Sequence, residues 1–144
     1  MASSVDMGGF DAYFEHVIAQ MSPQGRRKLQ NAIGKYLRTA NRKRMTAQTG
    51  PDGDSWEKRK GSGGSSGRMF KKLRTNGHLK LRHQSNGLKM GWFGRVGSIA
   101  RIHHYGLTER LQYGTAKYAA RELIGITAAD TDAIRSIIIE HLAS

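Results

Sequence analysis

Apolar residues recur at helical spacing in the first third of the chain. From Phe10 to Met21 they stand three or four positions apart, which predicts a short amphipathic helix. Ser22 and Pro23 then provide an N-cap and a first-turn proline, so a second helix is predicted to begin there and to end near Gln48. The apolar stripe predicted for this second helix consists of Leu29, Ala32, Ile33, Tyr36, Leu37 and Ala40.

A period of two residues marks the middle of the chain. Apolar and polar positions alternate on both sides of Asn86 and Gly87, a pattern typical of a β-hairpin with a tight turn. The alternating residues are Leu79, Leu81 and His83 before the turn and Leu88, Met90 and Trp92 after it. The residues that follow, 96–102, fit either a further strand or the lead into a short helix that runs from Arg101 to Tyr105.

A last helix is predicted at the C-terminal end. Thr127 and Asp130 have the spacing of a capping box, with Asp in the position of the usual Glu. The apolar face of the helix should dock on the sheet, and it comprises Ile126, Ala133, Ile134, Ile137, Ile138 and Leu142. The predicted class is therefore α+β, with a small antiparallel sheet packed against N-terminal and C-terminal helices.

Glycine-rich segments separate these elements. Gly50 to Gly53 predicts a turn that ends the second helix, and Trp56 is expected to fold back onto that helix as a core residue. Gly61–Gly67 has the composition of a flexible loop and lacks the Lys-Ser/Thr ending of a phosphate-binding loop. We expect one domain over 1–144, whose parts are a helical region 10–48, a loop and linker 49–76, a hairpin region 77–106 and a C-terminal helix 127–142.

Positive charge is concentrated in the middle of the chain. The formal net charge is +13, and residues 58–108 contain 12 Lys or Arg and no Asp or Glu. Such a region can bind nucleic-acid phosphates or an acidic protein surface. The basic side chains of the second predicted helix fit either a solvated face or a binding surface, and the pattern alone leaves both open.

The sequence offers no arrangement for catalysis. It has no cysteine, no paired acid and base, and no serine nucleophile motif, so we expect neither an enzyme nor a cofactor. His103 and His104 are adjacent and would point in different directions on a helix or a strand, which favours structural roles over a metal site. Apolar runs are too short to span a membrane, and we expect cytoplasmic synthesis without export.

Several segments, taken in order, resemble the phage virion morphogenesis family, the tail completion protein S group of contractile-tailed phages. The resemblance covers about residues 10–142. Tyr118-Ala-Ala-Arg121 departs from the family pattern, in which Tyr-Pro-Ala-Arg is commoner. The segments that carry it are the basic helix ending near Gln48, the turn Pro51–Trp56 with Glu57–Lys60, Met69–Arg74, Ala100–Leu107, Tyr118–Thr127 and the terminal Ile-rich helix.

The resemblance implies a structural virion protein, made in the host cytoplasm. We expect a subunit of a sixfold ring at the head-proximal end of the tail, with the tail tube and neck or connector proteins as partners. From charge placement, Arg68, Lys71, Lys72 and Arg74 are predicted to contact an acidic neighbour. Arg121 and Glu122 are predicted to fix the register between subunits. The alternative function is a sequence-nonspecific nucleic-acid-binding protein, and a ring around the path of the genome could itself contact DNA in this way.

Overall fold

The computed structural model describes residues 2–6, 12–58, 68–84 and 87–143. Within these ranges the chain forms helices and two small antiparallel sheets, which confirms the predicted α+β class. The loop predicted at Gly61–Gly67, the helix start predicted at Phe10 and Asn86 of the predicted turn lie outside the described residues. The elements in chain order are β1 (Ala2–Asp6), α1 (Ala12–Ala19), α2 (Pro23–Thr46), β2 (Lys80–Gln84), β3 (Gly87–Gly91), α3 (Gly94–Tyr105), β4 (Thr108–Arg110), β5 (Thr115–Lys117) and α4 (Ala128–Ala143).

Helix α2 begins where the sequence predicted. Ser22 is its N-cap, and the Ser22 hydroxyl accepts a hydrogen bond from Gly25 N at 3.0 Å, which satisfies one of the free amides of the first turn. The predicted apolar stripe is also confirmed, because Leu29, Ile33 and Leu37 are buried and the other three members are half-buried.

The main sheet has the strand order β1-β3-β2, so β3 is its central strand. Leu81 pairs with Met90 and His83 pairs with Leu88, which confirms the hairpin and its shared face. Strand β1 pairs with the other edge of β3 and was not predicted. Its sequence, Ala-Ser-Ser-Val-Asp, has a single large apolar residue, so it has no alternating pattern that would predict a strand.

The core lies between α2, the sheet and α4. Helix α2 packs on β3, and a Cβ atom at Gly34 would lie 3.0 Å from Leu88 Cδ1 of β3 and 2.9 Å from Leu81 Cδ1 of β2. Helix α4 buries Ile134 and Ile138 and packs mainly against α2, whereas the sequence placed it on the sheet. Ile126 precedes α4 and is 41% exposed, so its assignment to the buried face was wrong.

Residues 94–105 form helix α3. Of the two structures that the sequence allowed for residues 96–102, a strand or the lead into a helix, the chain therefore adopts the helix. The helix ends at Gly106, whose φ of 64° lies in the left-handed region and whose N–H bonds to Ile102 O. A Cβ atom here would lie 2.6 Å from Ala120 N, so both the backbone angle and the space require glycine. The His-Tyr-Gly segment is therefore the end of a helix.

Both tryptophans anchor loops to the core. Trp56 is buried, which confirms its predicted place, and its indole N–H donates to Glu122 O at 3.1 Å while its ring meets Phe70 edge-on at 5.5 Å. Trp92 is fully buried, and its indole N–H donates to Leu73 O at 2.6 Å. These bonds fix the segments on either side of residues 59–67 against the same core.

Candidate functional site

The last turns of α2 and the segment 68–74 enclose an open groove of about 510 Å³, here named the basic groove. Four of its described lining residues are Arg or Lys, and none of them is acidic. The lining residues are Thr39, Arg42, Lys43, Thr46, Ala47, Arg68 and Arg74. Cations that are far apart in the sequence thus share one concave surface, which would attract an anionic partner.

Gln48 holds the two sides of the basic groove together. Its side-chain amide donates to Met45 O at 2.6 Å and to Met69 O at 3.1 Å, and its Oε1 accepts from Met69 N at 2.7 Å. Met69 and Leu73 are buried, so apolar anchors add to these hydrogen bonds. The segment 68–74 is therefore docked on the end of α2, and its basic side chains have a defined position.

The cations of the basic groove have few partners. Arg42 Nη1 donates to Asn76 Oδ1 at 2.9 Å, a neutral acceptor that leaves the charge uncompensated. Arg74 is half-buried, and its Nη1 has no hydrogen-bond partner among the described residues. Arg68 and Lys43 are exposed. An anion that entered the groove would find free donors, and its charge would relieve the repulsion among the cations.

A second groove, of about 490 Å³, has the opposite charge and is here named the acidic groove. It lies beside the turn after α2, where Asp52 Oδ1 accepts from Asp54 N at 2.9 Å. All four of its carboxylates belong to exposed residues. The described lining residues are Gly50, Asp52, Asp54, Ser55, Trp56, Glu57, His104, Tyr105, Ala120 and Glu122.

Arg121 lies next to the acidic groove but is itself 7% exposed. Its Nε donates to Glu57 O at 2.8 Å, and its Nη2 lies 3.3 Å from Lys58 O. Arg121 therefore connects residues 57 and 58, which follow the turn, to the C-terminal third of the chain. Its neighbour Glu122 is exposed and holds Trp56 through its backbone carbonyl.

The two adjacent histidines of α3 take different structural positions. His104 is buried, and its Nδ1 accepts a hydrogen bond from Leu123 N at 3.1 Å, so this nitrogen carries no proton. His103 lies between the rings of Phe70 and Tyr118, with centroid distances of 5.1 Å and 4.6 Å. Burial lowers the pKa of both rings, and the Arg121 guanidinium lowers that of His103 further. Both imidazoles are thereby kept neutral near pH 7.

A polar network connects α2 to α4. Arg44 Nη2 lies 3.0 Å from Asp130 Oδ2 and also donates to Gly125 O, while Tyr36 donates its hydroxyl to Asp130 Oδ1 at 3.1 Å. Asp130 and Thr127 cap the helix reciprocally, at 3.0 Å each way, which confirms the predicted capping box. Burial would raise the pKa of Asp130, but the Thr127 amide, Arg44 and Tyr36 together lower it.

The residues predicted as contacts fall into separate places. Arg68, Lys71 and Lys72 are exposed on the segment 68–74, together with the half-buried Arg74. Glu122 lines the acidic groove, and Arg121 is buried beside it and bonded to the backbone of Glu57. Sequence reasoning missed that Arg42 and Lys43 belong with Arg68 and Arg74, because only long-range packing brings them together. It also missed the acidic groove, because only the tertiary structure brings Asp52, Asp54, Glu57 and Glu122 together.

The described residues hold no group of three or more His, Asp or Glu placed to share a metal ion. Among the helices of the described ranges, none is long and apolar enough to cross a membrane. What these residues present instead is two charged grooves on a small α+β frame, a surface suited to macromolecular contact.

Comparison with known proteins defines the class to which this frame belongs. Residues 5–143 match the model of the phage virion morphogenesis family, and the chain belongs to that family. A curated relative is tail completion protein S of Escherichia phage P2, which is 34% identical over 142 residues, covering 92% of this chain and 95% of that protein. No solved structure matches the chain.

Proposed function

We propose that the chain is a phage tail completion protein that forms a ring at the head-proximal end of the tail. Its family membership and its likeness to tail completion protein S of phage P2 over nearly the full length of both chains support this role. The protein would be made in the host cytoplasm, would enter the virion, and would contact the tail tube and the neck or connector proteins. It performs no chemistry in this role, and its function resides in its interfaces.

Two surface patches of opposite charge, the basic segment 68–74 and the acidic groove, are the observation on which the proposed ring rests. A closed ring repeats one heterologous interface, in which a patch on one subunit meets a different patch on the next. Lys71 and Lys72 are exposed and line neither groove, and Asp52, Asp54 and Glu122 offer an acidic counterpart on another part of the surface. Opposite charges on separate patches favour head-to-tail contact over contact between identical patches.

The contact residues follow from this geometry. Arg68, Lys71, Lys72 and Arg74 of one subunit meet acidic residues of its neighbour, in a ring of six copies. Arg121 fixes the register indirectly, because it holds Glu57 and thereby sets the shape of the acidic groove. Glu122, exposed at that groove, makes the direct contact.

The test is electron microscopy of a lysate from a phage or prophage that lacks this gene. Whole particles, free heads and free tails would be counted, and tail lengths measured. Filled heads beside tails of normal length would place the protein at the joining of head and tail. Overlong tails would make it the terminator of tube growth.

The same experiment can refute the proposal. Intact, infectious particles in normal number would mean that the protein has no part in assembly. Restoring the gene on a plasmid is the control that assigns any defect to this chain and not to a neighbouring gene.

A further inference from the structure

The outer face of α2 carries a stripe of cations that leads into the basic groove. At about 100° per residue, Lys28, Lys35, Arg38 and Arg42 fall within an arc of roughly 80°. This arc lies opposite the buried stripe of Leu29, Ile33 and Leu37 on the same helix. Lys28 and Lys35 are exposed and Arg38 and Arg42 are half-buried, so the stripe faces solvent.

The stripe is long. From Lys28 to Arg42 it extends about 21 Å at 1.5 Å per residue, and the basic groove then adds Lys43, Arg68 and Arg74. A surface of this length suits a partner that carries negative charge all along its length. The phosphate backbone of DNA is such a partner, with one negative charge about every 3.4 Å along each strand.

We propose that this stripe and the basic groove together bind the phosphodiester backbone of DNA without sequence preference. The chemistry of the groove favours phosphate over a protein surface. A protein interface has a buried core rich in aromatic and other apolar residues, whereas the described lining of this groove is Arg, Lys and Thr, with Ala47 as its apolar member. Arginine forks and threonine hydroxyls donate well to phosphate oxygens.

The site extends the proposed function and does not depend on it. Of the four basic residues assigned to the contact between subunits, the exposed Lys71 and Lys72 do not line the groove, whereas Arg68 and Arg74 do. Because Arg38, Arg42 and Lys43 belong to the DNA site and not to that contact, DNA binding and ring formation can be tested separately. In a ring around the path of the genome, the grooves of successive subunits would hold the DNA by its backbone.

The experiment is fluorescence anisotropy with the purified full chain and labelled duplexes of about 25 base pairs in two unrelated sequences, over a series of salt concentrations. The test variant is Arg38→Gln/Arg42→Gln/Lys43→Gln, which leaves the residues assigned to the contact between subunits unchanged. The matched control is Arg95→Gln/Arg101→Gln/Arg110→Gln, which removes the same charge from exposed positions that do not line the groove. Thermal melting of all three proteins shows whether each is folded.

We expect the wild-type chain to bind both duplexes equally. Loss of three phosphate contacts should weaken binding about tenfold or more and reduce the slope of log K against log salt by about 2.7. The control triple variant should keep most of both the affinity and the slope. If the groove variant melts early, Lys35→Gln/Arg38→Gln/Lys43→Gln replaces it, since no side-chain bond of these three residues holds the groove closed among the contacts described above.

Three results would overturn the proposal. The first is an absence of binding by the wild-type chain at about 50 mM salt, where phosphate contacts are strongest. The second is an equal loss in the groove and control variants, which would mean that net charge alone drives binding. The third is a groove variant that binds DNA like the wild type but fails in particle assembly, which would assign the groove to an acidic protein.

Discussion

Three consecutive basic residues of α2 lie in two different environments. Arg44 turns towards α4, where its guanidinium bonds to the buried Asp130 carboxylate and to Gly125 O. Arg42 and Lys43 line the basic groove, where none of the described lining residues is acidic. The residue types alone do not show which of these three side chains is paired. That depends on which residues from distant parts of the chain lie next to each one.

This comparison separates charges that hold the frame from charges that remain available to a partner. A buried ion pair must keep both members, because removing one leaves an unpaired charge in a medium that solvates it poorly. An exposed cation is already solvated, and its removal costs the fold little. Mutations on the two sides of α2 should therefore affect different measurements, stability on one side and association on the other.

The largest expected effect is on assembly. Lys71→Glu/Lys72→Glu should abolish particle formation, because the reversed charges would repel an acidic neighbour, and the melting temperature should stay near that of the wild type. Complementation of a phage lacking the gene, followed by a plaque count, measures this effect. Arg95→Glu/Arg101→Glu on α3 is the matched control, and normal particle yield from the Lys71/Lys72 variant would contradict the proposed interface.

The next effect is on stability. Arg44→Met should lower the free energy of unfolding by about 3 kcal/mol, since it leaves the Asp130 carboxylate buried without its cation. Lys43→Met, at the exposed position beside Arg44, should change it by about 0.5 kcal/mol or less. Urea denaturation of the two variants and the wild type decides this prediction, and equal losses would mean that the distinction between the two sides of α2 is wrong.

A pH dependence follows from Asp130, whose pKa is lower in the folded chain than in the unfolded one. Its contribution is complete above the unfolded pKa of about 4 and is lost as the pH falls through the folded pKa. Stability should therefore decline below about pH 4, and the decline should be shallower in Asp130→Asn. Asp132→Asn, at an exposed position of the same helix, is the comparison variant. Parallel curves for the wild type and Asp130→Asn would count against this account.

The smallest effect concerns the neutral histidines. Burial lowers the pKa of His104, so the unfolded chain takes up a proton before the folded chain does as the pH falls below about 6.5. Stability should decline modestly from pH 7 to pH 5, and His104→Asn should show a smaller decline. Thermal melting across this range measures it. His16→Asn, at an exposed position, is the comparison variant.

The success of the sequence-based predictions varied with the range of the interactions. Ser22 and the Thr127–Asp130 pair were identified because capping depends on residues within one turn. The hairpin was found because alternation and the Asn-Gly pair are local signals. Strand β1 and the β4–β5 hairpin were missed, since short strands with little apolar content are decided by the edge they pair with. Arg121 was predicted to fix the register between subunits and is buried; its partners Glu57 O and Lys58 O lie more than 60 residues away in the sequence, so no local pattern could identify them.

The sequence by itself determined the helices α2 and α4, the central hairpin, the basic character of the middle region and the family. These features depend on spacing and composition, which are complete in the linear chain. Only the tertiary structure decided which cations are paired and which remain available. Arg42 and Arg74 meet in one groove, and Arg44 meets Asp130, through packing between segments that are distant in sequence. Charge is a property of a residue, but its electrostatic role depends on its neighbours and on its access to water.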